Sequence, residues 1–367
     1  MNDHTETDET DETDETGGTD VANGTDGTDV TAGHAGMGLL ERRYRAVLRL
    51  LPAPYRAERE EEMVAAFMEM SGEVPDELNP RPRWGEIASV LALSTRVRLG
   101  AAGATPGQVA RGEAVRLVAL LGLGTLAAFA TAGLIRVAVY GAELSLAGAP
   151  ESAERLSFIS DLAAAVLSIL AFVTLARGHV RAAKAATLLG LVPALVHSVL
   201  PLVLGGAARL TPPQDLANLA FVLLPPVALL VGFHRDVPPR RRSWALALAP
   251  VAAGAALTGL TMLLIAADAT EPLWYFMWLD HGAAIPVWAA ASLVVLARRR
   301  SPSQALALSA TGLVLLAIRL PLLEVLPGVL WPTVALQCVL LGTLAAVTGG
   351  AGVRGMAKAP GPAPARP

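Results

Sequence analysis

The chain has 367 residues, 53% of them hydrophobic and 17% charged, with 34 glycines and a mean hydropathy of +0.49. That is too apolar for a soluble domain, and the apolar residues gather in runs of about 20, long enough to cross a ~30 Å hydrocarbon core. A single cysteine, Cys338, excludes an intramolecular disulfide and any multi-cysteine zinc or iron–sulfur site, and the formal charge of -3 averages over a strongly polarised chain. The expected class is all-α, a polytopic helical membrane protein.

Residues 1–36 carry eleven acids and no Lys or Arg. Positions 5–16 read TETDETDETDET, and Gly-Thr-Asp units follow at Gly18, Gly24 and Gly27. So few apolar side chains cannot offset the entropy of ordering, and a disordered acidic tail is expected. It reads as a passive extension; the functional alternative is a solvating tether that repels anionic lipid, competes for a basic patch or weakly binds divalent cations. With no apolar run before about residue 114, no secretory signal peptide is expected and the first span itself directs insertion.

Residues 37–110 read as a small cytoplasmic module of three helices. In the stretch 39–51 Leu40, Tyr44, Val47, Leu48 and Leu51 share one helical face. Pro52 and Pro54 end that helix, and Tyr55, Met63, Phe67 and Met70 supply the apolar face of a second, which Gly72 and Pro75 close. A third runs from about Trp84 to Leu99 with Trp84, Ile87, Val90, Leu91, Ser94 and Val97 in the same rhythm. The arginines from Arg42 to Arg59 are balanced by Glu58, Glu60, Glu61 and Glu62, so intrahelical ion pairs are expected and nucleic-acid binding is not.

The segments Arg43-Tyr44-Arg45, Leu48 to Pro52, Tyr55 to Arg59 and Glu61-Glu62-Met63 resemble the N-terminal module of uncharacterised actinobacterial integral membrane proteins. In that family a Gly often stands where this chain has Glu60, so here the second helix is expected to run unbroken. The module is also similar to the short cytoplasmic prefix of some bacterial permease-like and signalling membrane proteins, some of them paired with small transcriptional regulators. The resemblance covers roughly residues 40–100 and implies a cytoplasmic protein partner for residues 39–100.

Apolar runs over 115–139, 156–176, 183–205, 216–233, 244–267, 274–297, 304–326 and 329–349 predict eight transmembrane helices within 111–350, the last two open to reading as a re-entrant pair. A Pro/Ala-rich cytoplasmic tail follows over 351–367. Arg177, Arg181 and Lys184, Arg235 and Arg240 to Arg242, Arg298 to Arg300, and then Arg354, Lys358 and Arg366 follow alternate spans, whereas the opposite connections hold only Arg155 and Arg209. The positive-inside rule places both termini in the cytoplasm of a protein of the inner (plasma) membrane. A faint echo at an offset near 120, Leu200-Pro201-Leu202 against Leu320-Pro321-Leu322 for example, raises a duplication of two four-helix halves, set against chance matching of abundant Leu and Ala.

With that orientation Arg136, Asp161, His197, Asn218, Asp280, His281, Arg319 and Glu324 fall in the outer half. Ionisable groups at that depth cost about 2.5 to 3.5 kcal/mol each at a helix centre and face a partner or water. Arg136, Asp161, His197, Asp280, His281, Arg319 and Glu324 are therefore a candidate cluster, either an outward pocket for a small solute or a set of interhelical ion pairs, the second being favoured. Pro321, between Arg319 and Glu324, removes a backbone donor and loosens the helix beside both charges. Trp274, Tyr275, Trp278 and Trp331 suit an outer aromatic belt, and Ala252, Ala256 and Gly259 suit close helix packing.

No His-Glu-x-x-His, Gly-x-Ser-x-Gly or Gly-x-x-x-x-Gly-Lys pattern occurs, and neither a catalytic residue, a metal site nor a cofactor is expected. The expected function is that of a sensory or scaffolding membrane protein with a cytoplasmic interaction module. A permease for a small solute, proton-linked through the histidines and carboxylates, is the alternative.

Overall fold

Spacing of four residues stacks Leu40, Tyr44 and Leu48 on one side of a helix, and all three are buried on the inner face of α1 (Leu39–Leu48). The computed structural model describes residues 38–72, 76–78, 80–144, 153–204, 212–235, 237, 240–267, 277–278, 281–298, 301–326 and 328–357. The acidic tail, Asp280, Trp274, Tyr275 and the chain from 358 onward lie outside them. Among the described residues the regular elements are helices, with no strand.

Pro52 precedes α2 (Ala53–Ser71), where Pro54 sits in the first turn and forfeits only an N–H that has no intrahelical partner. With Glu60 in place the helix runs unbroken for 19 residues, to Gly72 at φ +67°. After a short turn comes α3 (Trp84–Arg98), whose first turn is closed by the Glu86 carboxylate accepting the Arg83 N–H at 2.7 Å. The three helices share a core of Leu40, Tyr44, Leu48, Leu51, Val64, Phe67 and Val90, in which the Tyr44 and Phe67 rings stack at 3.9 Å. Ser94 Oγ and Arg98 Nη2 both donate to the Leu50 carbonyl, at 2.6 and 3.1 Å, and fasten α3 to the turn after α1. Arg45 spans Glu61 on α2 through two bonds of 2.7 and 2.9 Å and also meets Glu41 on its own helix.

Three residues assigned to apolar faces point outward instead. Met70, Trp84 and Leu91 are exposed, Trp84 by 85%. Three short helices bury only a narrow stripe each, and Val64 with Phe67 and Val90 with Val97 already fill it.

Beyond the module run α4 (Pro106–Leu144), α5 (Ala153–Ala176), α6 (Val180–Leu204), α7 (Pro212–Gly232), α8 (Trp244–Ala266), α9 (Ala284–Ala297), α10 (Pro302–Arg319), α11 (Leu322–Val325) and α12 (Trp331–Ala357). Among the described residues five segments are long and apolar enough to cross a membrane: Pro106–Val139, Phe158–Ala176, Trp244–Ala266, Pro302–Val325 and Trp331–Ala357. Leu216–Gly232 and Ala284–Ala297 are shorter apolar helices. Leu189, Val192, Leu263, Val287, Leu313 and Val339 are exposed on the outer surface, an arrangement suited to lipid rather than to water.

The centre of the bundle is α4, which packs against α5, α7, α8 and α10. Small residues let the backbones approach. A Cβ on Gly122 would lie 2.5 Å from the Pro225 ring of α7, and one on Gly254 of α8 would collide with the Ala128 carbonyl. The close contact on α8 therefore belongs to Ala247, Gly254 and Thr258, which are buried, whereas Ala252, Ala256 and Gly259 face outward. A second core joins α9, α10 and α12 through Ile285, Trp288, Leu308, Leu315, Leu341 and Ala345. There Trp288 lies against Gly312 and donates to the Leu308 carbonyl at 2.8 Å. α8 packs on α4 and α5, which joins the second half of the spans to the first.

Several connections meet at one end of the bundle. The Arg242 N–H donates to the Ala176 carbonyl at 2.8 Å, and Ser303 of α10 donates to Glu113 of α4 at 3.0 Å. A Cβ on Gly355, near the end of α12, would lie 3.0 Å from Pro302. The start of α4, the α5–α6 turn, the α7–α8 loop, the start of α10 and the end of α12 thus share that end, together with α3.

Candidate functional site

The α5–α6 turn is built by one residue type. Gly178, at φ +83°, lets its own N–H reach the Leu175 carbonyl and the His179 N–H reach the Thr174 carbonyl, at 3.0 and 2.8 Å. This is a Schellman closure, and it reverses the chain within three residues so that α6 begins at Val180. His179, Arg181 and Lys184 are thereby delivered to the same end of the bundle as α3.

The loop after α7 is fixed from two sides. Lys184 Nζ donates to the Phe233 and Leu230 carbonyls at 2.7 and 3.2 Å, a cation set at the carbonyl end of α7. Arg177 donates to the Arg242 carbonyl at 2.8 Å while its guanidinium carbon lies 4.2 Å from the centre of the Trp244 ring. Loop residues His234, Arg235, Arg240 and Arg242 are consequently held beside the α5–α6 turn.

These segments and α3 line an open cleft of about 1260 Å³. Its polar lining is Thr95, Arg96, His179, Arg181, Lys184, His234 and Arg235, and its apolar lining includes Val180, Leu230, Val231 and Phe233. None of the described lining residues is acidic. Arg96 Nε is buried there without a hydrogen-bond partner among the described residues. A smaller cavity of about 280 Å³ shares Gly178, Val180, Phe233 and Val237 with it and adds Arg116, Arg240 and Arg242 with one acid, Glu113. Burial, and after it the neighbouring Arg240, push the Arg242 pKa below the usual arginine value. Among the described lining residues positive charge thus outweighs negative, and the chemistry that fits is anion binding by forked guanidinium donors.

The outer-half candidates are placed differently from one another. Arg319 closes α10 and is only 2% exposed, lying beneath the turn His281–Ala283: a Cβ on Gly282 would sit 2.7 Å from Arg319 Nη2. Nearby, Gln337 of α12 donates to the Met277 carbonyl at 3.0 Å. The regular helix is interrupted at Leu320 and Pro321 before α11, and Glu324 is exposed on that short helix. Arg136 on α4 and Asp161 on α5 are exposed as well. His197 belongs to α6 and His281 to the turn, but their side chains, like Asp280 altogether, lie outside the described residues. Arg319 and the His281 turn are therefore brought together, while Arg136, Asp161 and Glu324 lie on outer surfaces. Among the described residues no group of three or more His, Cys, Asp or Glu could hold a metal ion.

Sequence reasoning used Arg181, Lys184, Arg235 and Arg240 to Arg242 only to orient the spans and passed over His179 and His234. The available signal was their register. Each histidine lies within three residues of the end of an apolar run and precedes arginine within two residues, so each falls on the same rim.

No protein-family model, curated protein or solved structure matches this chain. What the fold defines is a class, a helical protein with the architecture of a membrane protein.

Proposed function

We propose that this chain is a sensory or scaffolding protein of the inner (plasma) membrane, crossing it eight times with both termini in the cytoplasm, and that it is not an enzyme. The observation that carries the reading is the direct seating of the module on the first span. A Cβ on Gly112 of α4 would collide with the Leu99 carbonyl at the end of α3, and one on Gly100 would lie 3.0 Å from Val109 Cα. A change in the pose of α3 must therefore move α4, which touches most of the bundle. Two exposed apolar residues two turns apart on α3, Trp84 and Leu91, provide a face for a protein partner. The resemblance of residues 40–100 to cytoplasmic prefixes supports the same assignment, as do the basic connections gathered at one end.

A permease is the second reading, and one observation favours it: Arg319 places a cationic side chain within the apolar segment Pro302–Val325. The close contacts of Gly122, Gly254 and Gly312 along the bundle favour the first reading instead.

Two measurements on the full-length protein separate them. Under the scaffold reading, Trp84→Glu with Leu91→Glu abolishes capture of a cytoplasmic partner identified by in-cell cross-linking to the wild type, and proteoliposomes show no flux of sugars, amino acids or organic anions driven by a proton gradient. Substrate-dependent flux lost in Arg319→Ala, with partner capture absent in the wild type, overturns it.

A further inference from the structure

The cationic cleft is lined by both guanidinium and apolar side chains. Arg96, Arg181 and Arg235 stand on three separate chain segments, α3, the start of α6 and the α7–α8 loop, and converge on one space. Leu230, Val231 and Val180 line the rest of it, and Leu230 and Val231 are exposed toward the outer apolar surface of α7. A small inorganic ion would leave most of about 1260 Å³ empty and would make no use of the apolar lining residues. A phosphate ester joined to hydrocarbon uses both: guanidinium forks take the phosphate oxygens, and the chain leaves along α7.

We propose that this cleft binds the phosphate headgroup of an anionic phospholipid, with Arg96, Arg181 and Arg235 as its ligands and the acyl chains lying on α6 and α7. The acyl side has a matching surface, since Leu188, Leu189 and Val192 of α6 and Leu230 and Val231 of α7 are all exposed. Arg96 lines the cleft from α3, and its Nε is buried without a hydrogen-bond partner among the described residues, so its charge is poorly compensated by them. Lys184 plays a different part: its ammonium is engaged by the α7 carbonyls and holds the loop that carries Arg235. Basic pockets at the cytoplasmic ends of spans are suited to such headgroups on electrostatic grounds, because anionic lipid is concentrated in that leaflet. The inference rests on the membrane placement proposed above and deepens the sensory reading. A lipid held between α3 and the bundle would make the pose of the module depend on lipid composition.

The shared chemistry, a phosphate ester, also belongs to soluble metabolites, so the test has two arms. Purified full-length protein in uncharged detergent is titrated by native mass spectrometry with phosphatidylglycerol, phosphatidic acid and phosphatidylcholine, and each titration is repeated in excess glycerol 3-phosphate. The expected result is binding of both anionic lipids about tenfold or more tighter than phosphatidylcholine, undisturbed by glycerol 3-phosphate. The triple variant Arg96→Ala, Arg181→Ala, Arg235→Ala then binds the anionic lipids no better than phosphatidylcholine, whereas Arg298→Ala with Arg354→Ala, at arginines lining neither cavity, leaves them unchanged. Arg181→Ala and Arg235→Ala, at exposed side chains, are measured singly in case the triple variant misfolds, each expected to weaken anionic lipid binding several-fold. Equal affinity for the three lipids, or wild-type binding by the variants, overturns the proposal. Displacement of lipid by glycerol 3-phosphate overturns the lipid source and assigns the cleft to a soluble phosphate ester. Carbonate-resistant membrane fractionation is run in parallel. Protein lost from that fraction refutes the membrane placement, while retained protein without lipid preference refutes this inference alone.

Discussion

Gly112 of α4 faces the backbone carbonyl of Leu99 at a distance that leaves no room for a Cβ. Module and bundle therefore meet backbone to side-chainless backbone, and the joint is sensitive to a single methyl group. Gly112→Ala is expected to destabilise this joint by about 1–3 kcal/mol through overpacking. Hydrogen exchange of the Leu99, Gly100 and Ala101 amides in the full-length protein should rise accordingly. Gly107→Ala, where an added Cβ meets nothing within 4 Å, should leave it unchanged. Equal protection in both variants would remove the case for mechanical coupling.

Phe67 is the other face of the Tyr44 stack and is almost fully buried. Phe67→Ala should cost about 3–5 kcal/mol, more than three short helices can lose. Limited proteolysis of the membrane-embedded protein should then cut within 39–98 while the fragment beginning near residue 106 stays intact. Resistance equal to wild type would show that membrane contact, rather than this core, stabilises the module.

Acidification should loosen the same helices. The hydrogen bond from Arg45 holds the Glu61 carboxyl below its usual range. A depressed folded pKa means that the stabilisation is present above the unfolded carboxylate value of about 4.3 and is lost as pH falls through the folded value. The protection factors of α1 and α2 amides, with the intrinsic exchange rate at each pH divided out, should fall as pH drops below that unfolded value. Glu61→Gln should blunt that acid response, and an identical profile in the variant would exclude the pair as its source.

Arg319 and Glu324 are five residues apart yet differ in exposure, one 2% exposed and the other on the surface. In a Cys338→Ala background, a cysteine at 324 should react with a membrane-impermeant maleimide in intact cells, while one at 319 should stay protected. Efficient labelling at 319 would show a water-filled cavity and shift the functional reading to transport.

How much of this was legible beforehand depends on the kind of pattern. The Leu40, Tyr44, Leu48 face was readable because polar residues surround it, so periodicity alone selects a side. On α8 nearly every position is apolar, and no period distinguishes Ala252 and Ala256 from Gly254; only the approach of Ala128 decides which small residue is needed. The depth of Arg319 in an apolar run was visible, but its cover, the turn His281–Ala283, comes from a different helix. Likewise the cationic cleft draws Arg96, Arg181 and Arg235 from segments scores of residues apart, and each was informative only about topology while read alone. Met70 and Trp84 failed in the opposite way, since apolar character exceeded what the small core could accept.

Lys184 has a chemical consequence for anyone looking for neighbours of this protein. It is one of two lysines in the chain, Lys358 being the other, and α1, α2 and α3 contain none. Its amine already grips the carbonyls that end α7. Amine-directed cross-linkers would therefore pass over the three-helix surface in silence, and a protein bound there would be scored as absent. Carbodiimide coupling through Glu58 or Glu69, or dicarbonyl reagents aimed at arginine, would report it.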